Sequence, residues 1–117
     1  MPTRDEHLAK ADQNEVFLTS VVAAQSSAEW AIVVLFYRAV HLVEAWFALR
    51  RIHNRSHQQR TRAVNANLAE VSADYAEILK ASRTARYDPA GLVTWEDYEH
   101  LAAGLTRIEA FVRADLR

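Results

Sequence analysis

A run of mostly apolar residues from Trp30 to Leu49 limits what this chain can fold into. The run is about long enough to cross a bilayer as a single helix. However, Arg38, His41 and Glu44 lie in its middle, and an ionisable side chain at the bilayer centre costs several kcal/mol. A central helix that is covered by the other helices of a bundle explains the run better, so we predict no membrane span.

Glycine and proline are too scarce for a fold that is rich in hairpins. The 117 residues include two glycines and two prolines, and 50% of them are hydrophobic. This length and apolar content suit one domain with a substantial core, spanning residues 1–117. The lack of cysteine excludes disulfides and thiolate metal sites. The sequence Met1–Glu6 is charged and polar, unlike a signal peptide, and we expect a cytoplasmic location.

Four places show a helix-start pattern, in which a Ser or Thr is followed three residues later by an acid or amide. In such a capping box the hydroxyl accepts a free amide of the first turn, and the later side chain reaches back to the cap. The four pairs are Thr3/Glu6, Ser26/Glu29, Ser56/Gln59 and Thr94/Asp97. They predict helices over roughly 4–23, 27–51, 57–86 and 95–115, the third being one helix or two in tandem, with a break near 65–70. Because short connections favour antiparallel neighbours, we predict an all-α, four- to five-helix up-and-down bundle.

Positive charge is concentrated in one part of the chain, although the net charge is only −1. No acid occurs between Glu44 and Glu70. The window between them contains a cluster that we call the basic junction: Arg50, Arg51, His53, Arg55, His57, Arg60 and Arg62. A helix start adds free amides and the helix dipole to such side chains, which suits a phosphate or an RNA backbone. Alternatively, these arginines pair with acids of neighbouring helices or of a second subunit.

A polar stripe interrupts the apolar second helix. Tyr37, His41 and Glu44 fall within about 60° on a helical wheel, with Arg38 alongside. Buried ionisable groups need partners. One interpretation is a structural network in which His41 bonds to Glu44 or to an arginine of the third helix. The other is a pocket that is lined by Tyr37 and His41, with Arg83 or Arg86 converging on it.

We expect neither a metal site nor a cofactor. His53 and His57 have the four-residue spacing of helical ligands, but Ser56 between them has the character of a helix cap. The two histidines are therefore not expected to share a helical face, and no nearby carboxylate or thiolate completes a site.

Several segments resemble the HEPN-domain family over nearly the whole chain. The resemblance rests on the Phe-Tyr-centred run from Trp30 to His41, on Ser56-His57, on Tyr75, Leu79, Ser82-Arg83 and Ala85-Arg86-Tyr87-Asp88, and on Thr94 and Ala110-Phe111-Val112. The order and spacing look like those of a small prokaryotic branch of the family. The resemblance implies a helical bundle that commonly forms a homodimer. It also implies either a metal-independent ribonuclease, in a toxin–antitoxin or other defence system, or a non-catalytic module that binds RNA, a nucleotide or a partner such as a nucleotidyltransferase.

The catalytic mark of that family is an arginine followed after four to six residues by a histidine. Arg51 and His57 fit this spacing, as do Arg50 and His57. In active members the motif usually belongs to a later helix, whereas here it straddles the loop before the third helix. We therefore expect binding of RNA, a nucleotide or an acidic partner through Arg50, Arg55, Arg60, Arg83 and Arg86. The alternatives are a ribonuclease that uses His57 and Arg51, and a purely structural module.

Oligomeric state is predicted from apolar surface. Trp95, Tyr98 and the apolar face of the last helix offer more hydrophobic surface than a bundle of this size buries alone, which predicts a homodimer. An antitoxin or a nucleotidyltransferase is the partner that the resemblance implies.

Overall fold

The computed structural model describes residues 2–24, 27–88 and 93–116, and these residues form five helices and no strand. The helices are α1 (Arg4–Ala24), α2 (Ala28–Leu49), α3 (His57–Asn67), α4 (Ala69–Tyr87) and α5 (Trp95–Asp115). The predicted all-α bundle is confirmed. The third predicted stretch is two helices in tandem, divided at Leu68.

Three of the four capping pairs begin a helix as the sequence predicts. The cap hydroxyl accepts the amide of the residue three positions later, at 3.2 Å for Thr3/Glu6, 3.0 Å for Ser56/Gln59 and 3.1 Å for Thr94/Asp97. The fourth cap is displaced by one residue, because the Ser27 hydroxyl accepts the Trp30 amide. Ser26 lies outside the described residues.

The break at Leu68 places two apolar residues in the core. Leu68 leaves the helical conformation at φ −123° and ψ 45°, while its amide still donates to the Val64 carbonyl at 2.7 Å. Both side chains are fully buried. The helix is therefore interrupted at Leu68 without a proline or a glycine.

α2 is the central helix of the bundle and packs against α1, α4 and α5. By length and composition it could cross a membrane, but 78% of its apolar window is buried inside the protein. His7 of α1 meets His41, and Glu15 meets Arg38, so α1 runs antiparallel to α2. The apolar run therefore forms the core of a globule.

Contacts further along the chain fix the direction of α5. Arg38 pairs with Glu109 and Trp46 bonds to Asp115, which makes α5 parallel to α2. On its other side α5 is antiparallel to α4, as two ion pairs show: Asp74–Arg107 and Glu77–His100. This arrangement leaves the outer edge between α2 and the end of α4 open to solvent.

Candidate functional site

Arg38 of the polar stripe is a structural residue. Its side chain is almost fully buried and forms ion pairs with Glu15 of α1, at 3.0 Å, and with Glu109 of α5. Two carboxylates from flanking helices thus compensate one buried guanidinium, which ties three helices together.

Glu44 of the same stripe is held by the basic junction. Its carboxylate accepts from Arg60 Nε at 2.7 Å and from Asn54 Nδ2 at 3.0 Å. The side chains of Glu44 and Arg60 are only 6% and 11% exposed. The charge of Arg60, which the sequence assigned to anion binding, is therefore compensated inside the protein.

His41 bonds to a residue that the sequence did not suggest. Its Nδ1 lies 2.9 Å from Nδ1 of His7, whereas the sequence predicted a bond to Glu44 or to an arginine of α3. Burial and, to a smaller extent, the neighbouring His7 together lower the pKa of His41 to about 4. Burial also lowers the pKa of His7. Both rings are therefore neutral at pH 7, and one Nδ1–H donates to the other nitrogen.

A small cavity of about 180 Å³ lies beside the two histidines. It is lined by Pro2, His7, Val40, His41, Glu44, His53, Asn54 and Arg60. Although three histidines share it, no group of three or more His, Asp or Glu side chains is arranged to hold a metal ion within the described part of the chain. Tyr37 is not among the residues that line this cavity.

Tyr37 instead faces the end of α4, where it meets Arg86. The Arg86 guanidinium donates to the Tyr37 hydroxyl at 3.3 Å and to the Ser82 carbonyl at 3.3 Å. It also stands 5.4 Å from the ring centre of Phe36 and 5.1 Å from that of Tyr87. The predicted convergence of Arg86 on Tyr37 is therefore present, and aromatic faces hold the guanidinium in place.

His57 lies in a cationic environment. Its Nδ1 is 3.0 Å from Nη1 of Arg60, and its ring centre is 5.5 Å from that of Phe36. Partial burial lowers the pKa of His57, and the charges of Arg60, Arg86 and Arg83 lower it further. Because a guanidinium has no acceptor, His57 Nδ1 accepts from Arg60, and the neutral ring carries its proton on Nε2.

The basic junction is divided between different neighbours. Arg50 pairs with Asp115 at 2.6 Å and stacks on Trp46 at 3.5 Å. Arg51 lies in a shallow groove that is lined by residues 2–5, 48–49 and His53. His57 is not among the residues of that groove. The contacts thus give the two members of the proposed catalytic motif, Arg51 and His57, different surroundings.

An open groove of about 320 Å³ runs between the start of α2 and the end of α4. This α2–α4 groove is lined by Glu29, Trp30, Val33, Ala85 and Arg86. Three large aromatic side chains on or beside it are exposed: Trp30 at 64%, Tyr37 at 40% and Tyr87 at 74%. The sequence did not mark Trp30 and Tyr87 as site residues, although the spacing of Trp30, Val33 and Tyr37 places these three along one helical stripe.

Two arginines of α4 contribute positive charge to this side of the protein. Among the described residues, neither Arg83 nor Arg86 forms an ion pair. The two arginines are three residues apart on α4 and therefore occupy one side of the helix. We call the combined surface the cationic–aromatic face, formed by Trp30, Tyr37, His57, Arg83, Arg86 and Tyr87.

Comparison with known proteins adds no family assignment. No protein-family model, curated protein or solved structure matches this chain.

Proposed function

We propose that this protein binds single-stranded RNA or a nucleotide on the cationic–aromatic face. The observation that carries the proposal is the position of Arg86, which stands among aromatic rings and donates to Tyr37 without an acidic partner in the described residues. A guanidinium that is held in this way presents its remaining donors to a phosphate.

The surface chemistry favours a single strand over a duplex. Proteins bind single-stranded nucleic acid by combining a cationic groove with aromatic side chains on which bases stack. Trp30, Tyr37 and Tyr87 supply exposed rings, and Arg83 and Arg86 supply the charge. A duplex hides its base faces, so these rings would have nothing to stack on.

Binding through this face depends on the arginines rather than on a charged histidine. The lowered pKa of His57 keeps its ring neutral at pH 7. Its proton on Nε2 is then a hydrogen-bond donor that can reach a phosphate or a ribose oxygen. We expect a modest salt dependence, because few phosphates are contacted.

Fluorescence anisotropy with a labelled single-stranded 12-nucleotide RNA tests the proposal. Arg83→Ala and Arg86→Ala should each weaken binding about fivefold, and each should reduce the slope of log K against log salt by about 0.7. Arg107→Ala is the matched control, because Arg107 is exposed on α5 and pairs with Asp74 away from the face. Equal losses in all three variants, or no RNA binding at low salt, would contradict the proposal.

The resemblance to HEPN domains agrees with this choice of surface. Ser82-Arg83 and Ala85-Arg86-Tyr87 are among the segments that carry the resemblance, and they form the α4 side of the face. Many domains of that family belong to toxin–antitoxin or other defence systems. We extend this setting to the proposal, with an antitoxin or nucleotidyltransferase partner and a cytoplasmic location.

Metal-independent RNA cleavage is the second candidate, and the exposed position of His57 among arginines favours it. Nδ1 of the neutral His57 ring, once released from Arg60, would take the proton of the 2′-hydroxyl while that oxygen bonds to phosphorus. The 5′-oxygen would leave with a proton from water, giving a 2′,3′-cyclic phosphate, while Arg51 or an arginine of α4 stabilises the charge, and His57 would then return its proton to the solvent. His57→Ala should then abolish cleavage in the presence of a chelator and leave most of the binding intact. Equal background from both proteins would remove His57 as a catalyst.

A homodimer remains part of the proposal, but its surface differs from the one that the sequence suggested. Trp95 and Tyr98 are half-buried and pack edge to face at 5.5 Å. Two large apolar side chains of α1, Val16 and Phe17, are exposed. Light scattering should give about twice the chain mass of 13.3 kDa, and Phe17→Ser should reduce it to one chain if α1 forms the interface.

A further inference from the structure

The α2–α4 groove contains two opposite charges that remain apart. Glu29 and Arg86 both line it. Among the described residues, they do not form an ion pair with each other, and neither forms an ion pair with any other residue. The carboxylate and the guanidinium are therefore both free to contact a ligand that lies between them. Such a ligand must offer hydrogen-bond donors at one end and negative charge at the other.

The floor and wall of the groove suit a flat ring. Val33 is nearly buried and forms an apolar floor, while the Trp30 indole is 64% exposed beside it. An exposed indole has a free aromatic face, and a nucleic-acid base stacks readily on such a face. The volume of about 320 Å³ accommodates one base and its sugar.

A carboxylate is unexpected in a groove that binds RNA, because it repels phosphate. A carboxylate only accepts hydrogen bonds, so Glu29 must face a donor edge of the ligand. Among the four RNA bases, guanine alone presents two adjacent donors, N1–H and the 2-amino group, on its Watson–Crick edge. These two donors match the two oxygens of one carboxylate.

We propose that the α2–α4 groove is a guanine subsite, an inference that rests on the proposed binding of single-stranded RNA. The base stacks on Trp30, its N1–H and 2-amino groups donate to the Glu29 carboxylate, and the adjoining phosphate contacts Arg86. Glu29 is then the residue that determines specificity, whereas Arg86 contributes to the affinity for every sequence.

The test compares labelled 12-nucleotide RNAs of uridine that carry one central guanosine, inosine or adenosine. Wild-type protein should bind the guanosine RNA about tenfold more tightly than the adenosine RNA, with inosine between them because it lacks the 2-amino group. Glu29→Gln should reduce the guanosine preference, measured as the ratio of the affinities for the guanosine and the adenosine RNA, to threefold or less. Glu96→Gln is the matched control, because Glu96 is an exposed acid in the first turn of α5.

The outcomes separate this inference from the proposed function. Binding of all three RNAs with equal affinity, or a guanosine preference that survives Glu29→Gln, would overturn the guanine subsite and leave RNA binding intact. Absence of binding to every RNA would overturn both. Glu29 is exposed, so Glu29→Gln should keep the wild-type circular dichroism spectrum, which shows that the loss of preference is local.

Discussion

Arg60 of α3 and Glu44 of α2 form an ion pair of 2.7 Å in which both side chains are buried. The same carboxylate binds Asn54, and Arg60 also contacts His57. The pair therefore connects the central helix to the segment that precedes α3, and through Arg60 it fixes the orientation of the His57 ring. Its stability has consequences for both the fold and the binding face.

Removal of either partner should destabilise the protein, because an uncompensated buried charge remains. Arg60→Met or Glu44→Leu should each lower the free energy of unfolding by about 3 kcal/mol. The double variant should recover much of this loss, since it leaves no buried charge. Urea denaturation of the three variants measures the effect. Additive losses in the double variant would show that the two side chains do not act as a pair.

His41→Leu should affect stability more than RNA binding. The substitution leaves Nδ1 of His7 without its hydrogen-bond partner in a buried position, at a cost of about 1–3 kcal/mol. His41 lies away from the cationic–aromatic face, so the affinity for single-stranded RNA should stay within twofold of wild type. A variant that melts like wild type but loses RNA would place the ligand at the histidine pair instead.

Stability should fall as the pH drops from about 6.5 toward 4. The pKa of His41 is about 4 in the folded protein and about 6.5 in an unfolded chain. Well above pH 6.5 the His41 ring is neutral in both the folded and the unfolded state. At lower pH the ring binds a proton in the unfolded chain but not in the folded protein, so the free energy of unfolding decreases. The loss should reach about 2 kcal/mol once partial solvent exposure of the ring is allowed for.

Urea unfolding midpoints at pH 7, 6 and 5 measure how stability depends on pH, in a range that lies above the pKa of most carboxylates. His41→Leu should show a shallower slope over the same interval, with the remainder due to His7, whose pKa is also lowered. An unchanged midpoint in wild type between pH 7 and pH 5 would contradict the account of the histidine pair.

Arg51→Gly should stabilise the protein. α2 ends in a Schellman turn, in which the Ile52 amide donates to the Phe47 carbonyl and the Arg51 amide to the Ala48 carbonyl. Arg51 adopts a φ of 60° there, a conformation that glycine adopts without strain. The melting temperature should rise by a few degrees, which corresponds to about 0.5–1 kcal/mol. Arg55→Gly, at a position without positive φ, should lower it.

Helix positions were predictable because the signals that set them are local. The hydroxyls of Thr3, Ser56 and Thr94 lie within one turn of the amides that they bind, so spacing alone identifies them. The sequence predicted the break at Leu68 only to within residues 65–70, since no glycine or proline marks its position. Its cause is the burial of Leu68 in a core that exists only after α3 and α4 pack.

The partners of the polar stripe required the tertiary structure. A helical wheel places Tyr37, His41 and Glu44 close together, but it does not show which helix covers each residue. Tyr37 faces α4, His41 faces α1 and Glu44 faces α3. The sequence therefore predicted that the stripe needs partners. It did not predict that Tyr37 belongs to an exposed site while His41 and Glu44 belong to two separate pairs in the interior.

The three tryptophan indole N–H signals in a heteronuclear NMR spectrum test the location of the binding face most directly. Trp46 Nε1 is bonded to Asp115, and Trp95 packs against Tyr98, whereas Trp30 lines the α2–α4 groove. Titration with single-stranded RNA should shift the Trp30 signal, assigned by Trp30→Phe, and leave the other two in place. A shift confined to Trp46 or Trp95, or no shift at saturating RNA, would contradict the proposed binding face.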